Sequence, residues 1–432
     1  MSQGRNSYRL VKKLIREHEA WFSRTLPLVA SENLASMAVR EALSSDMGQR
    51  YAEGPPGDRI YAGCRYMDKV EEVAMDLARK LFGGDFVDVR PISGLIANLS
   101  VYSGLTTPGD TIVSLSTASG GHISSESKES QGTAGLVHGL RVEYFEYDVK
   151  KLNIDVDRSL KKMSSLHREK KSPKVVTFGA SLFLFPHPLR DMVERIREIG
   201  ATVLYDGAHV AGLIAGGEFQ DPMKEGADLL TFSTHKTMFG PQGGMIVGRS
   251  EFREKVSLGV FPGTTSNHHP NLVAGKALAL AELMEFGKIY ARDVISNARA
   301  LAEALSESGE NVLGEALGFT RSHQVVLDTM KYGGGIKAEK LLESVNIITN
   351  RQSFPREPYT PRPEVPEGLR LGTSELTRLG FSKSDMKEVA AIIHYALNGG
   401  ERERVMERVE EVRKGKQSAK YSFERSPAYF YR

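Results

Sequence analysis

Asp228-Leu-Leu-Thr-Phe-Ser-Thr-His235-Lys236-Thr-Met-Phe-Gly-Pro-Gln-Gly243-Gly244 opens as an apolar run and stops in polar residues, one of them a lysine, before a Gly-rich turn. A short apolar run bounded by turn signals reads as a strand buried on both faces, as in a parallel sheet. Lysine at the end of such a strand is partly desolvated. A poorly hydrated ammonium loses its proton more easily, which frees the amine to form a Schiff base with a carbonyl. For this lysine taken alone, a surface position in a loop is the alternative.

Upstream, Ala201-Thr-Val-Leu-Tyr-Asp206-Gly-Ala-His209-Val-Ala-Gly212 repeats the design: an apolar strand ends in an acid, with a histidine three residues on. The two strand ends suit each other. Pyridoxal phosphate needs a carboxylate against its pyridine nitrogen, because a protonated ring is the electron sink, and a lysine for its aldehyde. Asp206 and Lys236 would supply that pair, although Asp206 alone could equally start a turn or bind a metal.

Outward from these two strands, apolar segments at 111–115, 141–147 and 174–178 alternate with helical patterns at 94–105 and 189–198. Such alternation predicts an α/β fold with a mostly parallel sheet. Before it, residues 8–23 read as an amphipathic helix leading into an extended stretch at 26–30, then a helix at 70–82 and a short strand at 87–90. Past residue 261 the texture changes to a polar loop (262–270), a long apolar-periodic helix from 271 to about 308, strands at 325–327 and 369–371, and a helix at 384–396. The charged run 401–416 reads as a solvated helix face. The expected organisation is an N-terminal arm (1–45), a large cofactor-binding domain (46–270) and a smaller α+β C-terminal domain (271–432).

The 432 residues allow two or three domains at about 150 residues each. Charged residues make up 26 %, and the net charge of +3 is too weak to attract nucleic acid or a membrane by its field. The basic stretch 161–174 has no interleaved aromatics to stack bases, so no nucleic-acid partner is expected. No apolar run approaches the roughly 18 residues of a membrane span. One cysteine, Cys64, can form neither an intrachain bridge nor a thiolate metal site, which suits a reducing, cytoplasmic setting. The adjacent pair His268-His269 diverges in extended chain, and no metal is expected there.

Two further segments bear on the chemistry. Pro91-Ile-Ser93-Gly94-Leu-Ile-Ala-Asn98 lies between a short strand and a helix, where free N–H groups and the helix dipole would hold a phosphate dianion, although Ser-Gly before a helix is also an ordinary N-cap. Ser119-Gly-Gly121-His122 follows a strand and could bring an imidazole onto the cofactor ring; a flexible loop histidine is the alternative. The sequence has no G-x-S-x-G elbow, H-E-x-x-H, Cys-x-x-Cys or P-loop.

Together with these, Leu28-Val-Ala-Ser31-Glu-Asn33, Tyr51-Ala-Glu53-Gly54, Gly120-Gly-His122, Asp206-Gly-Ala-His209-Val-Ala-Gly-Leu213, Thr234-His-Lys236-Thr237 and Gly368-Leu-Arg370-Leu-Gly-Thr373 occur in an order that resembles serine hydroxymethyltransferase over about residues 10–400. Ser181-Leu-Phe-Leu-Phe-Pro-His187 and Ser266-Asn-His-His269 look most like its archaeal branch. The resemblance implies an aspartate aminotransferase-like fold and a homodimer that interconverts serine and glycine. Pyridoxal phosphate would be carried on Lys236, and a one-carbon unit would pass to a reduced pterin. It further implies Asp206 as the pyridinium partner, His122 as the stacking ring, and His209 and Ser181 near the phenolic oxygen. Ser93, Gly94 and His235 would line the phosphate, and Ser233 would also bind the cofactor. Arg370 would clamp the substrate carboxylate with help from Ser31 and Tyr61, while Glu53 as acid/base and its neighbour Tyr51 would reach in from the other subunit.

The sequence departs from the family pattern at Ile60-Tyr61, where Tyr-Tyr is usual, at Pro241-Gln242, where Pro-Arg is usual, and around Ser266-Asn267-His268. In the expected loop 349–355, Gln352 stands where a folate-contacting asparagine is common, which makes tetrahydromethanopterin an expectation beside tetrahydrofolate. A pterin-independent aldolase for β-hydroxy or α-methyl amino acids, and a non-catalytic RNA-binding paralogue, are the rival readings.

Overall fold

The computed structural model describes residues 3–355 and 366–430, so the outermost residues of the expected arm and C-terminal domain lie outside the described residues. Seven strands form the main sheet: β1 (Phe86–Asp88), β2 (Thr111–Ser114), β3 (Arg141–Tyr144), β4 (Pro173–Gly179), β5 (Thr202–Asp206), β6 (Leu229–Ser233) and β7 (Gly244–Gly248). Their order across the sheet is β1-β7-β6-β5-β4-β2-β3. From β6 through β3 all neighbours are parallel, and β7 runs antiparallel to both β6 and β1.

Consecutive strand residues go to opposite faces, as the period of two requires. Val113, Val176, Val203, Leu230 and Val247 join one core, and their neighbours Ile112, Val175, Leu204, Leu229 and Ile246 join another. Both faces are therefore covered, which is why these strands read as continuous apolar runs. The flanking helices include α1 (Gln3–Phe22), α2 (Arg65–Phe82), α3 (Gly94–Leu105), α4 (Leu189–Glu198) and the 38-residue α5 (Pro270–Glu307). α3 packs on one face through Ala97, Val101 and Tyr102, and α2 on the other through Ala74, Ala78 and Phe82.

α5 passes from one core into the next: Val273 to Val294 pack with the main sheet, whereas Ala298, Leu301 and Leu305 pack with a second core. That second core is built on an antiparallel sheet of β8 (Asn311–Val312), β9 (Gln324–Asp328), β10 (Asn350–Gln352) and β11 (Gly368–Gly372), in the order β8-β9-β11-β10, with α6 (Asp385–Leu397) against it. Leu26 and Leu28 join it from the N-terminal side, where Leu26–Pro27 pairs in parallel with Ile347–Ile348.

Three local expectations need correction. Residues 350–352, expected as loop, form the edge strand β10, because hydrogen bonds to β11 supply what their polar side chains do not signal. The expected strand 141–147 breaks after Tyr144, and Tyr147–Asp148 pairs instead with Asn153–Ile154. α7 (Arg402–Arg413), expected as a solvated face, buries Val405, Val409 and Arg413.

Candidate active site

Parallel strands leave their carboxyl ends along one edge of the sheet, where helix N-termini and loops converge. β5 ends in Asp206 and neighbouring β6 in Ser233, with Asp206 paired across to Thr231. Lys236 follows three residues later and is only 9 % exposed. Among the described residues its Nζ has no hydrogen-bond or ion-pair partner; its own carbonyl accepts from Asn33 Nδ2 at 2.8 Å. Burial lowers the Lys236 pKa to about 8; Arg370 pushes the same way and Asp206 opposes. A buried amine poised this near neutrality is a nucleophile in waiting.

Asp206 is buried and held on both oxygens: Oδ2 accepts from Asn98 Nδ2 at 2.7 Å, and Oδ1 from the Ala208 N–H at 2.9 Å. Asn98 is in turn oriented by Thr231, whose hydroxyl donates to its Oδ1 at 2.5 Å. α3 thus braces the acid at the end of β5 from across the sheet. Asn98 also donates to Ser124 Oγ at 2.9 Å, and Ser124 bonds His122 Nδ1 at 2.8 Å. The His122 pKa is lowered by burial, with Lys236 and Arg370 adding to the effect against Asp206. The shift favours the neutral imidazole at pH 7.

Ser93 caps α3 by accepting from the Ile96 N–H at 3.1 Å. Gly94 starts the helix so close to β6 that a Cβ there would stand 2.2 Å from Ser233 Oγ. Nearby His235 is kept neutral, its pKa lowered to about 4 by burial and by Lys236, and its buried Nδ1 has no partner among the described residues. A capped helix N-terminus of 12 residues, hydroxyls and an unpaired buried nitrogen fit a phosphate ester.

Arg370, in the middle of β11, donates from Nη1 to the Ser181 carbonyl at 2.6 Å and from Nε to Asn350 Oδ1 at 3.4 Å. Nη2 is left without a partner among the described residues. Burial lowers the Arg370 pKa to about 10, so it stays a cation at neutral pH. Ala30, the residue before Ser31, packs on the same strand: its carbonyl lies 3.0 Å from His323 Nε2, and its Cα would stand 2.3 Å from a Cβ on Gly372. His209 is buried and bonds through Nδ1 to Gln324 Nε2.

The remaining expected residues lie elsewhere in this chain. Tyr51 and Tyr61 are 53 % and 42 % exposed, with ring centroids 5.0 Å apart. Glu53 Oε1 accepts from Ser266 Oγ at 2.7 Å, and Asn267 Oδ1 accepts from the Ala52 N–H at 2.9 Å. None of the contacts of this patch reaches Lys236 or Arg370 among the described residues. His268 bonds Glu71 at 3.0 Å, beside the Arg59–Glu71 ion pair at 2.8 Å.

Several supporting residues were not singled out by sequence reasoning. Lys276 on α5 donates from Nζ to the carbonyls of Val89, Pro91 and Gly244 at 2.7, 3.1 and 3.0 Å, joining the approach to α3 to the return from the Lys236 loop. Asn98 sits five residues past Ser93, one and a half helical turns on, which was a usable signal. Gln324 and Asn33 carry no local signal, since their partners are distant in sequence.

An α/β fold with a buried lysine, unpaired among the described residues, after one central strand and a braced carboxylate ending its neighbour has the parts that a pyridoxal phosphate enzyme of fold type I needs. The family model described as serine hydroxymethyltransferase matches residues 6–393. A serine hydroxymethyltransferase of Cenarchaeum symbiosum is 51 % identical over 433 residues, covering 100 % of this chain and 98 % of the relative. That of Korarchaeum cryptofilum is 50 % identical, with 98 % and 99 % covered, and that of Methanopyrus kandleri 47 % identical, with 96 % and 94 % covered. The chain belongs to the serine hydroxymethyltransferase family, and so is a pyridoxal phosphate-dependent enzyme that transfers a hydroxymethyl group. No helix among the described residues is long and apolar enough to cross a membrane.

Proposed function

We propose that this chain interconverts serine and glycine reversibly as a homodimer, with pyridoxal phosphate bound through Lys236 and the hydroxymethyl carbon passed to a reduced pterin. The observation that carries this reading is the buried Lys236 amine, without a partner among the described residues, under the charges of Asp206 and Arg370. The cofactor, when bound, supplies a sink for the electron pair left on Cα as the Cα–Cβ bond of serine breaks.

The side chains do the rest. Asp206, already fastened by Asn98 and the Ala208 N–H, would hold a carboxylate for the ring nitrogen. His122 would cover the ring, and Ser93, Gly94, Ser233 and His235 would hold the phosphate. Arg370 presents Nη2 to the substrate carboxylate with Ser31, joined by Tyr61 of a second copy of the chain, fixing which Cα bond stands in line for cleavage. Glu53 of a second copy of the chain takes the β-hydroxyl proton as the C–O bond gains double-bond character, and returns it in the reverse direction; Tyr51 is its neighbour. Support for the second copy comes from this exposed patch and from α1, none of whose side chains is buried although Tyr8, Val11, Leu14 and Ile15 make an apolar stripe.

Tetrahydrofolate and tetrahydromethanopterin are the two candidate acceptors. Serine cleavage assayed with each, side by side, discriminates them, and a rate independent of any pterin would favour the aldolase reading. Borohydride treatment of the yellow enzyme followed by peptide mapping is expected to find the cofactor on Lys236. A colourless protein that traps nothing there would end the proposal.

A further inference from the structure

Gln324, the first residue of β9, is fully buried and reaches three segments of the site. Its Oε1 accepts from the Phe183 N–H at 2.8 Å, and its Nε2 donates to the Ser181 carbonyl at 3.0 Å and stands 3.0 Å from His209 Nδ1. The amide cannot be turned over. A backbone N–H only donates, so the oxygen must face Phe183, and a carbonyl only accepts, so the NH₂ must face Ser181. His209 Nδ1, sharing that NH₂, must then be the acceptor nitrogen.

A buried imidazole of this kind is neutral: burial drives the His209 pKa well below its usual value, and Lys236, Arg370, His323 and His122 reinforce the shift. A neutral ring carries one N–H, and with Nδ1 accepting it is Nε2–H. Among the described residues no acceptor takes that proton. The ring itself is stacked on His323, with centroids 5.6 Å apart and planes 18° apart, and its backbone is held by Thr237, whose hydroxyl donates to the His209 carbonyl at 2.9 Å.

We infer that Gln324 is a positioning residue that locks His209 as the Nε2–H tautomer, so that this ring presents a proton to an anionic oxygen of the ligand bound at Lys236. The oxygen in question, the cofactor's phenolic one, rests on the site assignment proposed above; the tautomer does not. Ser181 is drawn into the same arrangement, since its carbonyl takes both Gln324 Nε2 and Arg370 Nη1. One amide thereby couples the histidine's proton to the position of the carboxylate clamp.

The test is nitrogen NMR of the full chain labelled with ¹⁵N-histidine, with and without pyridoxal phosphate, using His209→Asn to assign the signals. In the unaltered chain Nδ1 should resonate as an unprotonated nitrogen and Nε2 as a protonated one, and loading the cofactor should shift the Nε2 signal. Gln324→Glu keeps an acceptor for Phe183 but turns an acceptor oxygen toward His209, so Nδ1 should gain a proton. Gln324→Met, which removes the amide without adding charge, should let both tautomers appear and serves if the glutamate variant does not fold. A protonated Nδ1 in the unaltered chain overturns the inference, as does an unchanged His209 spectrum in the variants that fold. An Nε2 signal indifferent to cofactor overturns its donor role. Borohydride trapping on Lys236 is read separately: intact trapping beside an unchanged spectrum in both variants removes Gln324 alone and leaves the site assignment standing.

Discussion

The surroundings of Lys236 and the patch around Glu53 are opposite kinds of site. The first is buried, braced by Asn98, Thr231, Ser124 and Gln324, and its polar groups are committed in pairs except where a ligand would enter. The second is open: Tyr51 and Tyr61 stand largely exposed, and Glu53 has a neighbouring serine hydroxyl for company. A single chain brings Lys236, Asp206 and Arg370 together and leaves Glu53 half-buried on a separate patch. The contrast teaches where the proposed shared site can be broken: a carboxylate acts only within hydrogen-bond reach of the proton it moves, and within one chain no contact carries Glu53 to Lys236 among the described residues.

The sharpest way to break the contrast is Lys236→Ala, which should abolish covalent attachment and reduce serine cleavage by several orders of magnitude, as read by borohydride trapping and by glycine formation. Mixing that variant with Glu53→Gln sharpens it further. If the exposed patch serves the partner's buried site, random reassortment puts half the molecules in mixed pairs with one intact site of two, giving about a quarter of the unaltered activity. Recovery no greater than the sum of the two parents would mean that Glu53 acts within its own chain.

Arg370→Ala should cost about 3 kcal/mol in kcat/KM for serine, roughly a hundredfold, because a desolvated charged hydrogen bond is lost. Unchanged serine kinetics would remove the arginine from the clamp. Smaller in effect is the pH dependence of cofactor uptake by the apoenzyme. Only the neutral amine attacks the aldehyde, so uptake should rise with pH through a midpoint near 8, well below the ordinary lysine value of 10.5. Asp206→Asn removes an anion and should lower that midpoint, and Arg370→Ala removes a cation and should raise it. Smallest of all, Glu53→Gln on the open patch should move the unfolding free energy by less than about 0.5 kcal/mol, measured by denaturant titration.

Much of the scaffold was legible because it is written in local pattern. α3 and α4 were read with the bounds they have, since Ser93 marks the start of one and apolar spacing the extent of the other. The parallel strands were legible as apolar runs, because burial on both faces leaves no polar alternation to confuse them. β10 was missed for the converse reason: Asn350, Arg351 and Gln352 have no strand signature, and pairing with β11 alone makes them one. Lys236 and Asp206 stood out as polar residues closing apolar runs, whereas Gln324 did not, a polar residue beside a strand being unremarkable until its partners are known.

By itself the sequence determined the alternation of strands and helices, the polar residues that close the central strands, and the family to which the chain is matched. These depend on residue type and spacing along one stretch of chain. Only the tertiary structure decided that β5 and β6 lie side by side, that Asn98 reaches from α3 to brace Asp206, that Gln324 dictates which nitrogen of His209 carries its proton, and that Glu53 pairs with Ser266 rather than with the Lys236 site. Each of those is a hydrogen bond, or the lack of one, between segments separated by many residues, and such distances close only when the two cores pack.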